Sequence, residues 1–167
     1  MKTLLLLRHG KSSWDAPVRP DRERPLAPRG VKAARRIGRF LERAGPPPDH
    51  VLCSPAVRTT ETLRHAADAG GWRAPAAFVP ELYGAAPGDV LACVRAVDAG
   101  VETLLVVGHE PACSGTASLL IGGAALRFPT ATLACIRLDA AGWDEVRPGL
   151  GELLWLVVPR VLARLEP

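Results

Sequence analysis

The sequence predicts an α/β protein of three layers, with a mostly parallel central sheet covered by helices on both faces. Three observations predict it. Short apolar runs without polar alternation, LLLL at 4–7, VLC at 51–53 and TLLVV at 103–107, read as strands buried on both faces. Each run is followed by a segment with helical spacing, and strands alternating with helices build parallel sheets. A chain of 167 residues suffices for one core that buries roughly 68–70% of its unfolded surface. We expect a single domain over 1–167, without internal repeat, low-complexity tract or linker.

The first strand is LLLL, bounded by Arg8, His9 and Gly10. A loop rich in Pro, Arg and Asp covers 15–27, and PRGVKAARRIGRFLERAG then places Val31, Ala34, Ile37 and Leu41 at helical spacing. Gly45 and the prolines at 46–48 stop that helix. Its positions Arg29, Lys32, Arg35, Arg36, Arg39 and Arg43 read as a solvated face opposite the apolar stripe. A short strand is expected at 51–53, then Ser54 as N-cap and Pro55 as first helical residue, which sets Arg58 in the first turn. Further strands are expected at 76–79, 103–107, 132–138 and 153–158, with helices at 87–99, ended by Gly100, and from near Pro111.

Composition narrows the function. Hydrophobic residues make up 48% and charged residues 23%, close to globular averages, so neither disorder nor a membrane protein is indicated. No apolar run approaches the ~18 residues of a spanning helix. Met-Lys-Thr before four leucines resembles the start of a signal peptide, but Arg8, His9 and Lys11 interrupt the apolar region and no small-residue cleavage site follows. A cytoplasmic location is expected. Cys53, Cys93, Cys113 and Cys135 form no CxxC pair and read as buried thiols rather than a zinc or redox motif. The net charge of +4 suits anions without identifying nucleic acid, and aromatics at 5% are too few for a base-stacking platform.

Two of the four histidines stand at the ends of the two most apolar strands, His9 in LLLLRHG and His109 in LLVVGHE. Ligands in open α/β sheets bind beyond the carboxyl ends of strands. If the two strands are neighbours, both imidazoles face one crevice, where Arg8 and Arg58 can join them. Two imidazoles and two guanidiniums suit an oxyanion with several oxygens, and phosphate fits best. His50, at a strand start, and His65, on the polar side of a helix, are set aside. Zinc would be short of ligands, with Asp15 and Glu110 the only carboxylates nearby and arginines to repel a cation. A Ser-His-Asp hydrolase is disfavoured because Ser114, in CSGTAS, lacks the glycine two positions before it.

RHG at 8–10, RPLAPRG at 24–30, SPAVRTTET at 54–62 and VVGHEP at 106–111, in that order and spacing, resemble the histidine phosphatase superfamily. RHGKSSWD followed by RERPLAPRG resembles its SixA-type phosphohistidine phosphatases. The resemblance covers Leu4 to about Leu138 and implies a phosphoglycerate mutase-like fold. It implies His9 as a nucleophile that forms a phosphohistidine which water then hydrolyses, with Arg8, Arg58 and His109 holding the phosphoryl oxygens. In that scheme His9 is neutral and His109 cationic once phosphate is bound, Gly10 lets the backbone approach the phosphate, and Arg24 lies at the pocket rim. No metal or other cofactor is implied.

One position departs from the family pattern. Larger members carry a proton-donating glutamate two residues after a leucine that follows the third strand; in VPELYGAAPGD that position matches Tyr83, while Glu81 precedes the leucine. A missing acid penalises alkyl esters more than a phosphoramidate, whose imidazole departs neutral. The expected substrate is thus a protein phosphohistidine of phosphorelay type. A small phosphorylated metabolite turned over by the same nucleophile, and a non-catalytic phosphate-binding module, are the alternatives. Short loops suggest an open pocket. Lys11, Ser12, Ser13 and Trp14 either line its mouth or pack Trp14 on the sheet; Glu110 either orients water or stabilises the next helix.

Overall fold

The computed structural model describes residues 1–14 and 20–165; positions 15–19, with Asp15, lie outside the described residues. Six strands form one sheet: β1 (Lys2–Arg8), β2 (His50–Cys53), β3 (Ala76–Phe78), β4 (Thr103–Gly108), β5 (Leu133–Leu138) and β6 (Gly151–Val157). The helices are α1 (Pro28–Ala44), α2 (Val57–Gly70), α3 (Pro87–Arg95), α4 (Ala112–Leu120) and α5 (Pro159–Leu162). The strand order is β3-β2-β4-β1-β5-β6. The first four in that order run parallel, and β5 is antiparallel to both β1 and β6.

The three expected layers follow from strand parity, since neighbouring residues of a strand point to opposite faces. Leu4, Leu6, Leu104 and Val106 pack with Val90 and Val94 of α3 and Ala117 and Leu120 of α4. Leu5, Leu7, Leu105 and Val107 pack instead with Ile37 and Leu41 of α1 and Leu63 and Ala66 of α2. The unbroken leucine run is therefore the joint between two cores.

The reversal of β5 has a chain-path cause. After α4 leaves the end of β4, the chain turns through Gly122 and Gly123, at φ 89° and 105°, a left-handed region that suits glycine. It then returns to the carboxyl end of β1, where Ala131 N–H donates to the His9 carbonyl at 3.0 Å. From there β5 can only run back down.

Strand ends shift by one or two residues from their expected positions, and two helix boundaries also move. α3 ends at Arg95 rather than 99, because Ala96 N–H turns to the Cys93 and Val94 carbonyls and Asp98 Oδ1 accepts from Gly100 N–H at 2.7 Å. α2 begins at Val57, after Ala56, so Ser54 is not its N-cap and Pro55 is not helical. The reason lies in the site below.

Of the four residues at helical spacing, helix α1 buries Ala34, Ile37 and Leu41 and leaves Val31 half-buried; it also buries Gly38, where it crosses α2. A Cβ on Gly38 would collide with the Ala66 carbonyl oxygen, a backbone atom that cannot swing aside. Helix propensity alone would favour Gly38→Ala by about 1 kcal/mol, whereas overpacking a tight contact costs about 1–3 kcal/mol. The crossing should decide: Gly38→Ala is expected to lower the urea midpoint at unchanged m-value. A raised midpoint would show that the helices separate at no cost.

Candidate active site

The register that pairs Arg8 with Gly108 makes His9 and His109 leave adjacent strands at the same level. Their ring centroids lie 5.2 Å apart with planes inclined at 59°. Arg8 closes β1, and Arg58 stands in the first turn of α2, which follows β2 on the far side of β4. His9, His109 and Arg58 are 9%, 8% and 7% exposed. The four side chains singled out from the sequence thus meet at the carboxyl edge of the sheet, where each imidazole feels both guanidiniums.

His9 Nδ1 lies 2.7 Å from the Gly10 carbonyl oxygen. A carbonyl only accepts, so Nδ1 carries the proton and the Nε2 lone pair is left free. Burial pulls the His9 pKa down to about 3; the Gly10 bond opposes this, while His109, Arg58 and Arg8 add to it. His109 Nε2 lies 2.8 Å from Ser54 Oγ. Burial first and then Arg58 lower its pKa to about 4, with Asp21 opposing. Both rings are therefore neutral at neutral pH without a bound anion; cationic His109 belongs only to an anion-bound state.

Ser54 is fully buried with its hydroxyl on His109, and its carbonyl accepts from Thr59 Oγ1 at 2.7 Å. That commitment is why it does not cap α2. Gly10 serves packing. Its N–H donates to Thr62 Oγ1 at 2.9 Å, and a Cβ there would lie 2.8 Å from the Gly30 carbonyl oxygen. The glycine lets the start of α1 lie against the loop after His9.

The arginines divide. Arg8 donates from one terminal nitrogen to the Phe128 carbonyl at 2.6 Å, and its buried Nε has no protein acceptor among the described residues. Arg58 gives its two terminal nitrogens to the Asp21 carbonyl at 2.7 Å and Asp21 Oδ2 at 2.9 Å. Arg24 spends its donors on the Ser13 carbonyl, Asp21 Oδ1 and Ser12 Oγ, and its guanidinium lies 3.3 Å over the Trp14 ring. It braces the loop that presents Asp21, and the exposed Trp14 carries Arg24 instead of packing on the sheet.

Asp21 carries no signal in the sequence, and Tyr83, read there only as a departure from the family pattern, meets it at the site. Tyr83 Oη donates to Asp21 Oδ2 at 2.9 Å, and its ring meets His109 edge-on at 5.6 Å. Partial burial would raise the Asp21 carboxyl, but bonds from Tyr83, Arg24 and Arg58 hold it at about 2. A 3-10 turn at Pro80–Leu82 buries Leu82 and exposes Glu81, which brings Tyr83 to the site. An Arg58–Asp21–Tyr83 link therefore spans a site whose short loops suggested only an open mouth. Nothing in a lone aspartate 37 positions from Arg58 signals this.

Glu110 accepts from Ser114 Oγ at 2.6 Å, while its buried Oε1 has no partner among the described residues. Burial pushes the Cys53 and Cys113 thiols up to about 12 and Cys135 to about 11, consistent with inert core residues. Among the described residues no three His, Cys, Asp or Glu side chains are grouped to hold a metal, and no helix is long and apolar enough to cross a membrane.

The imidazole shifts set a pH dependence. Below about 6.5 the unfolded chain binds protons that the folded His9 and His109 refuse until about 3 and about 4, so stability falls across that interval. The urea midpoint should decline from pH 6.5 toward 4, and less steeply in His9→Gln. Equal slopes would show that His9 is not held neutral by the fold.

A family model described as "Histidine phosphatase superfamily (branch 1)" matches residues 4–92. An uncharacterised protein of Mycobacterium tuberculosis is 43% identical over 164 residues, 92% of this chain and all of that protein. The phosphohistidine phosphatase SixA of Escherichia coli is 30% identical over 83% of this chain and 87% of its own length. A solved protein from Nakamurella multipartitia matches with TM-score 0.84 at 35% identity over 95% of this chain and 96% of that one. The protein histidine phosphatase SixA complexed with tungstate matches with TM-score 0.82 at 28% identity over 96% and 99%. The fold is phosphoglycerate mutase-like. The motifs at the strand ends, the six-stranded sheet and these matches converge: this chain belongs to the histidine phosphatase superfamily, branch 1, and is a phosphatase.

Proposed function

We propose that the chain hydrolyses phosphohistidine on a partner protein through a covalent phosphohistidine on His9. The observation that carries the substrate choice is Tyr83, which stands where larger relatives place a carboxylic acid and whose hydroxyl already donates its hydrogen bond to Asp21. No acid is then committed to a leaving alkoxide. A departing imidazole needs none, because protonated on its second nitrogen it leaves neutral, with a conjugate acid near 6.5.

His9 Nε2 attacks phosphorus in line, the phosphorus–nitrogen bond of the substrate breaks, and its electron pair goes to the leaving imidazole. Water then attacks the His9 phosphoryl group; inorganic phosphate departs and the electron pair returns to Nε2. Arg8, Arg58 and His109 hold the equatorial oxygens, where positioning and charge do most of the work of phosphoryl transfer. The orphan Nε of Arg8 is a donor that an anion's oxygen would satisfy. Gly10 and Arg24 act from behind, through the loop that shapes the site. The name of the SixA relative at 30% identity supports the same substrate class.

The test compares kcat/KM for a phosphohistidine peptide with that for glycerol and sugar phosphates. The phosphoramidate should win by roughly 100-fold, about 2.7 kcal/mol of barrier. Equal or better turnover of the alkyl esters would make the chain a small-molecule phosphomonoesterase instead.

A further inference from the structure

The arginine face of α1 is not wholly a solvated surface. Arg29 and Arg36 meet Lys11, from the loop after His9, and Arg160, from α5, around a cleft of about 420 Å³ closed on one side by Pro129 and Thr130. Four separate segments contribute, and among the described residues no carboxylate lines the cleft. The side chains of Lys11, Arg29 and Arg160 have no ion-pair partner among the described residues.

The cleft adjoins the phosphate site. Lys11 lies two residues beyond His9, so their Cα atoms are at most about 7 Å apart. The wall at Pro129 and Thr130 continues into Phe128, whose carbonyl holds Arg8, and Ala131, whose N–H holds the His9 carbonyl. A segment of chain that fills the cleft therefore lies close enough to be continuous with a phosphoryl-bearing side chain at His9.

We infer that this cleft, through Lys11, Arg29, Arg36 and Arg160, docks an acidic segment flanking the phosphohistidine of the partner protein. The inference rests on the proposed phosphohistidine-protein substrate. Charge complementarity of this kind raises encounter rates and selects partners more than it tightens a single contact. Nucleic acid would also meet the charge, but Pro129 and Thr130 offer no aromatic face for bases.

The test uses two phosphohistidine peptides, one flanked by glutamates and one by glutamines, with the wild type, Arg29→Glu/Arg160→Glu and the neutral Arg29→Gln/Arg160→Gln. The acidic peptide should show about tenfold higher kcat/KM than the neutral one with the wild type, falling with salt. Both double variants should erase that preference while hydrolysing the neutral peptide as the wild type does, which also shows that they fold. Equal kcat/KM for the two peptides, or a preference that survives charge reversal, overturns the docking. Binding of unphosphorylated peptides, read by fluorescence anisotropy, separates the two proposals. An acidic peptide held by the wild type and lost by the variants sustains the cleft even if neither phosphopeptide is hydrolysed, an outcome that would sink the substrate reading alone. Tighter retention of anionic vesicles than of the acidic peptide would also overturn it.

Discussion

His9→Ala is expected to abolish turnover, by a factor on the order of 10⁴ or more, because the covalent route has no other nucleophile. The geometry fits the proposed nucleophile: Nδ1 is tied to the Gly10 carbonyl and burial keeps the imidazole neutral. Removing it leaves Arg8, Arg58 and His109 able to gather phosphate, so the variant should still bind inorganic phosphate while failing in single-turnover chemistry. A residual rate within about tenfold of the wild type would mean that water attacks the substrate directly and that His9 only positions it. His9→Gln gives a second reading with the backbone contact retained.

Arg58→Ala should cost about 10²–10³ in kcat, the usual loss when one donor to a developing oxyanion is removed. Lysine should not restore it. Arg58 presents a planar fork, two of whose nitrogens are aligned by the carbonyl and carboxylate of Asp21, and an ammonium cannot hold both geometries. Asp21→Asn keeps the guanidinium but loosens its alignment and frees the Tyr83 hydroxyl, so its loss should be smaller, about tenfold. Rapid-quench rates on one substrate order the three variants. Arg58→Lys matching the wild type would reduce the role of Arg58 to a diffuse positive charge.

The cores were legible because both faces of the sheet are covered. Leu4 to Leu7 form an unbroken apolar run since each leucine serves one core or the other, and the same holds for Leu104 to Val107. The meeting of His9 and His109 was legible only conditionally, since adjacency of β1 and β4 is a matter of strand order that no local pattern encodes. Asp21 and Ser54 were hidden for a different reason. Their partners are 37 and 55 positions away, and a side chain's local role, such as a cap, gives way when a buried imidazole needs its hydroxyl. Tyr83 was seen as an irregularity in a motif, but its facing depended on a one-turn 3-10 segment too short to read from periodicity.

Gly10 and Arg24 show how a motif can be right about position and incomplete about cause. Both stand in segments that match the family, yet Gly10 is demanded by the Gly30 carbonyl and Arg24 by the Ser12, Ser13 and Asp21 groups it holds. Antiparallel bridging of Ser12 with Leu26, and the bond from Leu26 N–H to Glu61, fasten the same loop to α2. The sequence motif is thus partly a record of how the loop is braced.

The most direct measurement is acid-free rapid quench of the enzyme mixed with a ³²P-labelled phosphohistidine peptide, followed by mapping of the label. The account predicts a transient stoichiometric phosphoryl group on Nε2 of His9, absent in His9→Ala and longer-lived when water attack is slowed. Steady release of phosphate with no labelled enzyme at any time, or label on a different residue, would contradict it.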